Sequence, residues 1–256
     1  MYAVVIHHNH EVTPEAIQAL AEVLGVTVFD ARQKLAGQGP VVVSTYAESA
    51  QAESILTKLK NNEFRSFISD VDAALNDCPV LVVEKFELNE DHVSVYETGG
   101  RKATIAYKDI KFIIPSVQRR GVTKENSVTE RKLSIGKTVM MGGLPMSKKV
   151  TRQETVMEDE DEHVLYLCGV NRARLVCRQN SMTFEGFKDE IEFTREMNYK
   201  LFISKICQSC PDAVYEDRLM KRLEQAKLLG PTLNPDCYID LAVDILITSA
   251  LAEDRK

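Results

Sequence analysis

The chain has none of the motifs by which common enzyme classes are read from sequence. Its 256 residues contain no Gly-x-Ser-x-Gly nucleophile turn, no phosphate-cradling loop ending in Lys-Ser/Thr and no His-Glu-x-x-His pair. Gly142-Gly143 lacks the strand-before, helix-after context of a nucleotide turn. The start, Met1-Tyr-Ala-Val-Val-Ile-His-His, has neither the basic region nor the long apolar stretch of a secretory leader. No apolar run is long enough to span a bilayer: Cys237–Leu251 comes nearest, but it is short and carries Asp240 and Asp244. Repeats and low-complexity tracts are missing too. Positive charge is also in short supply, since the net charge of −6 gives no whole-molecule attraction to nucleic acid or an acidic membrane.

What is present is a normal soluble composition, 44% hydrophobic and 27% charged, in a chain able to bury one large core or two ordinary ones. Cys78, Cys168, Cys177, Cys207, Cys210 and Cys237 are scattered without an export signal, so reduced thiols and a cytoplasmic location are expected. With 38 carboxylates, acidic pairs are inevitable and identify no acid–base site. Neither a catalytic residue nor a cofactor is expected.

The expected class is α+β. Residues 1–72 read as a small βααβαβ unit: strand Tyr2–His8, helices Thr13–Leu24 and Val28–Leu35, strand Pro40–Thr45, helix Ser49–Lys60 and strand Arg65–Asp70. Thr13-Pro14 is a helix start, with Thr as N-cap and Pro at the first helical position. Gly25 and Gly37-Gln-Gly39-Pro40 are stops, Ser49 is a further cap, and Val41-Val-Val43 has the β-branched texture of a buried strand.

The passage Val28-Phe-Asp-Ala-Arg-Gln-Lys-Leu-Ala-Gly-Gln-Gly-Pro-Val-Val-Val resembles the helix–Gly–Pro–strand of the ribosomal L7/L12 C-terminal domain, and Ala47–Asp70 fits that domain as well. The opening strand leading into Thr13-Pro14 resembles ClpS, an adaptor that delivers N-degron substrates to a AAA+ protease. Together these resemblances imply an L7/L12-ClpS-like α/β domain and a binding role. They do not carry over the N-degron site. Asn9-His10-Glu11 stands where ClpS has Asn-Asp-Asp, and Ala36 replaces its helix histidine, so acceptors for an α-amino group are missing. The basic face offered by L7/L12 is reduced to Arg32, Lys34, Lys58 and Lys60.

After a short linker, Val71–Pro79, residues 79–212 turn strand-rich. The expected strands are Val80–Leu88, His92–Tyr96, Ala103–Tyr107, Ile110–Pro115, Val164–Cys168, Ala173–Cys177 and Met182–Phe184, followed by an amphipathic helix Glu196–Cys210. Seven strands and a helix match the plan of a pleckstrin-homology-like (PH-like) β-barrel, with a different β-rich domain as the alternative. Ala103-Thr-Ile-Ala-Tyr-Lys-Asp-Ile-Lys-Phe-Ile resembles the strand–turn–strand of bacterial PH-like (GRAM-type) domains. Residues 213–256 form a helical tail, Ala213–Leu229 and Asp236–Ala252, broken at Gly230-Pro-Thr-Leu-Asn-Pro235.

Four places invite attention. The excursion 118–152 holds nine Lys or Arg against two Glu, with an apolar centre. Arg119, Arg120, Arg131, Lys132, Lys137, Lys148 and Lys149, with Met140 and Met141, could meet a protein partner or an anionic lipid surface. The alternative is a solvated excursion neutralised by Glu158-Asp-Glu-Asp-Glu162. Nucleic acid is not expected, because no aromatic residue interleaves with the basic ones. Cys207-Gln-Ser-Cys210, with Cys168 and Cys177, has the residue types of a thiolate metal site or redox pair, but the CxxC ends a helix instead of starting one, and core packing explains it equally. His7, His8 and His10 alternate along a strand, so at most two converge, and a surface cluster is expected. Finally, residues 236–252 are apolar nearly all round, and could pack within the chain or form a homodimer. The combined expectation is a non-catalytic scaffold or adaptor binding a protein partner. The alternatives are a peripheral membrane protein and a thiol- or metal-dependent enzyme.

Overall fold

The structure, a computed structural model, describes residues 1–7, 12–37, 39–77, 79–97, 99–133, 147–169 and 173–253, with backbone alone for 122–133 and 147–158. It is a mixed α and β protein in two compact units, one formed by residues 1–118 and 162–256 and the other by 119–161.

In the first unit β1 (Tyr2–Ile6) lies between β2 (Val41–Tyr46) and β3 (Ser66–Asp70) in an antiparallel sheet of order β2-β1-β3. Helices α1 (Pro14–Leu24), α2 (Val28–Leu35) and α3 (Ser49–Asn61) complete this part. Thr13 caps α1 by accepting from the Ala16 N–H, and Gly25 closes it in the left-handed conformation at φ 65°. Thr27 caps α2 by accepting from the Asp30 N–H, and its hydroxyl donates to the Asp30 carboxylate. Ser49 does not cap α3. It is the first helical residue, the cap position falls to Glu48 without a side-chain bond, and Ser49 Oγ donates to Glu53 instead.

The segment Val71–Pro79 is not a plain linker. Asp70 accepts from the Asp72 and Ala73 N–H groups and starts α4 (Val71–Asn76), which buries Val71 and Ala74.

Strands β4 (Val80–Leu88), β5 (His92–Glu97), β6 (Lys102–Ala106), β7 (Ile110–Leu133), β8 (Ser147–Gly169), β9 (Arg174–Arg178) and the two-residue β10 (Val214–Tyr215) form a second sheet of order β10-β7-β8-β9-β4-β5-β6. β4 and β9 run parallel, and no closed barrel is found among the described residues. Met182–Phe184 adds no strand; its link to the sheet is a bond from the Thr183 N–H to the Glu84 carbonyl. Helix α5 (Arg195–Ser209) follows a 3-10 segment, Glu185–Glu190. Ala213–Leu229 is not one helix but β10, a 3-10 turn Arg218–Met220 and α6 (Arg222–Leu229), after which α7 (Pro235–Glu253) ends the fold.

The period-2 alternation of strand side chains separates the cores. Val4, Ile6, Val41 and Val43 face α1–α3, while Ala3, Val5 and Val42 share the opposite core with α4, α6 and α7. On the large sheet, Phe112, Ile114, Val164, Tyr166, Cys168 and Val176 face α7, while Ile113, Leu165, Leu167, Leu175 and Cys177 face α5. Helix α7 therefore lies between two sheets, which is why it is apolar on nearly every side. One core thus joins the segments 1–72, 79–212 and 213–256.

The polar groups on α7 are matched one by one. Asp244 meets Arg174 Nη2 at 3.2 Å and Ser69 Oγ at 3.4 Å, and the Asp240 carbonyl accepts from Arg174 Nη1 at 3.0 Å. Ser249 hydrogen-bonds His7. Such pairs fix which face of an otherwise uniform apolar helix meets which sheet.

The second unit consists, in backbone, of the continuation of β7 to Leu133 and the beginning of β8 from Ser147. Much of the basic excursion is thus strand. Its Arg119 Nε lies 3.6 Å from Asp161 Oδ1, with both side chains open to solvent.

Candidate interaction site

The candidate site is the turn between the 3-10 segment Glu185–Glu190 and α5. Phe193 is 100% exposed there, with Ile191 and Met197 also exposed. Leaving a phenylalanine in water forgoes about 1.5–3 kcal/mol that burial would supply. Isolated exposed apolar residues are ordinary. What sets this one apart is that its backbone is clamped.

Asn198, buried in the first turns of α5, receives the Glu192 N–H on Oδ1 at 2.9 Å. Its Nδ2 donates to the Glu192 and Thr194 carbonyls, both at 2.9 Å. Thr194 caps α5 by accepting from the Met197 N–H at 3.1 Å. One side chain therefore holds backbone groups of the residues on each side of Phe193, so little ordering remains to be done on binding.

The fringe is acidic. Asp189, Glu190, Glu192 and Glu196 stand beside two cations, Lys188 and Arg195, both exposed. Arg195 Nη1 donates to the carbonyls of Gln179 and Met182 at 2.9 and 2.8 Å. Glu190 and Glu196 pair with Lys205 and Lys200, and Lys200 holds the Glu196 carboxyl below the usual range. Among the described residues no cation pairs with Asp189 or Glu192. The 3-10 segment is seated by Gly186, whose missing Cβ would fall 2.2 Å from the Phe86 carbonyl oxygen.

A signal for this turn stands in the sequence. An apolar residue just before an N-cap commonly packs on the fourth helical residue as a hydrophobic staple. Here Phe193 precedes Thr194, but the fourth residue is Asn198, so Phe193 has no staple partner.

The sites expected from sequence fall elsewhere. Arg119 and Arg120 are exposed. The side chains of Arg131, Lys132, Lys137, Met140, Met141, Lys148 and Lys149 lie outside the described residues, as do Cys78, His8 and His10. His7 is not part of a surface cluster but is buried against α7. Cys168 and Cys177 face opposite sides of the large sheet, so they cannot join Cys207 and Cys210 around one ion. Among the described residues no three His, Cys, Asp or Glu side chains are grouped to hold a metal. Burial pushes the Cys177 and Cys207 thiols up, and burial together with Cys207 pushes Cys210 up to about 11, the opposite of an activated thiolate. Residues 236–252 present their apolar positions to this chain's own two sheets. No described helix is long and apolar enough to cross a membrane.

The chain matches no protein-family model, no curated protein and no solved structure.

Proposed function

We propose that this protein is a non-catalytic scaffold or adaptor that docks a protein partner through the turn Asp189–Met197. The observation that carries this reading is Phe193, wholly exposed on a backbone clamped by three hydrogen bonds from Asn198. Rigid aromatic anchors of this kind dominate binding energy in protein interfaces. The acidic fringe disfavours the membrane alternative, because it would be repelled by the anionic lipids that basic anchors seek.

On the same footing we read residues 1–72 as the L7/L12-ClpS-like domain and 79–212 as a PH-like β domain. An antiparallel three-stranded sheet with α1, α2 and α3 together on one of its faces supports the first. For the second, β4 and β9, the first and last strands of their run, lie side by side, and a helix follows to cover one face. Both families are binding modules.

The test replaces Phe193 with the photocrosslinker benzoylphenylalanine in the full chain, in the cells that make it. A discrete protein adduct, not formed when the same group replaces exposed Leu223, is expected. Equal adducts from both positions, or none from either, would sink the reading.

A further inference from the structure

Exposed aromatic side chains serve several kinds of contact, and the charges around Phe193 select among them. We infer that the partner presents an apolar socket rimmed by lysine or arginine, into which Phe193 inserts while Asp189 and Glu192 meet the rim. This rests on the docking reading above and adds the chemistry of the other side.

The argument is one of charge complementarity. Within Asp189–Met197 four carboxylates surround three exposed apolar side chains. The one nearby guanidinium, Arg195, donates to two backbone carbonyls, and its Cζ lies 6.0 Å from the centroid of the Phe184 ring. Both bonds leave from Nη1, and among the described residues neither Arg195 nor exposed Lys188 forms an ion pair with Asp189 or Glu192. Lys200 and Lys205 each answer one carboxylate, leaving Asp189 and Glu192 without a cation among the described residues.

These two carboxylates precede the anchor in sequence. Glu192 is also held in place, because its own N–H and carbonyl are the groups bonded by Asn198. A socket with an acidic or neutral rim would leave like charges facing, or desolvate Glu192 without recompense. A basic rim turns the same groups into charge-assisted hydrogen bonds and speeds the encounter. Anionic bilayers and nucleic acid are excluded by the same sign.

The experiment uses the benzoylphenylalanine probe at position 193 in the full chain and compares the native fringe with Asp189→Asn plus Glu192→Gln. Asp189 is exposed and Glu192 half-buried, both substitutions keep side-chain shape, and the Asn198 clamp bonds only backbone at Glu192. Adduct yield is expected to fall about tenfold on neutralisation, and similarly when the native fringe is irradiated in lysate at high salt instead of low. The adduct peptide, sequenced by mass spectrometry, is expected to carry lysine or arginine beside the labelled apolar residue. A protein adduct of unchanged yield, or one on an acidic or uncharged surface, would overturn the basic socket and leave the docking reading standing. An adduct on a second copy of this chain, or on lipid, would overturn it too. The absence of any position-specific adduct would remove the docking reading and this inference together.

Discussion

Helix α7 and the turn before α5 place their apolar side chains in opposite ways. The helix carries the longest apolar stretch in the tail, able by its pattern to pack within the chain or against a second copy, and it is enclosed between two sheets of its own chain. The turn is a mostly acidic stretch with one phenylalanine, and it holds the most exposed large apolar side chain among those described. Hydrophobic content therefore says where burial must occur, and says little about where a protein reaches outward. What leaves Phe193 in water is a local shortage of partners, enforced by a polar residue at the position where a packing partner is usual.

The contrast can be broken most forcefully at α7. Truncation after Gly230 removes Leu241, Ala242, Val243, Ile245, Leu246 and Ile247, all buried. At about 1.5–3 kcal/mol for each large side chain this exceeds the 5–15 kcal/mol by which domains are stable. Loss of cooperative unfolding and aggregation by light scattering are expected. A folded, soluble monomer would show that α7 is an interface element after all.

Next in size is Asp244→Ala, which strands the Arg174 guanidinium between the sheets and is expected to cost about 3–5 kcal/mol in chemical denaturation. Replacing both residues, Arg174→Met with Asp244→Leu, should recover most of that loss. A double variant as unstable as the single would mean that the pair itself, and not the orphaned charge, holds α7.

Asn198→Ala tests the turn. Three hydrogen bonds disappear, but the groups they served lie near solvent, so a loss of about 1–3 kcal/mol is expected. Hydrogen exchange at residues 192–194 should quicken while the α7 amides stay protected. Uniform acceleration would instead mean that Asn198 supports the whole fold.

The smallest effect on stability belongs to Phe193→Ser, expected within about 0.5 kcal/mol of the parent because nothing is packed on the ring. A drop of 2 kcal/mol or more would place Phe193 in contact with its own chain and remove it as an anchor.

Much of the fold was legible where local chemistry decides. Thr13-Pro14 and Gly25 bracket α1 as their side chains and backbone freedom dictate, and α2 has the very bounds its pattern predicts. Legibility failed where a distant surface decides. Val71–Asn76 is polar enough to pass for a linker, and becomes a helix because Asp70 caps it and α7 covers Val71 and Ala74. Ala213–Leu229 has helical periodicity, but Val214 and Tyr215 are captured by β7 as a short parallel strand. The candidate site was missed for the converse reason. Periodicity detects side chains that pack together, and Phe193 packs on nothing.

The placement of α7 also has a consequence for biosynthesis. Ala3 and Val5 on the first strand share a core with Leu241 and Ile245, near the far end of the described chain. At roughly 5–20 residues per second, a ribosome needs on the order of 10–50 seconds between making those two sets of side chains. Through that interval each sheet, once its strands are made, lacks the helix that separates it from water. A nascent chain stalled before Pro235 would therefore display two apolar sheet faces at once, and would be a natural client for chaperones until its last helix emerges.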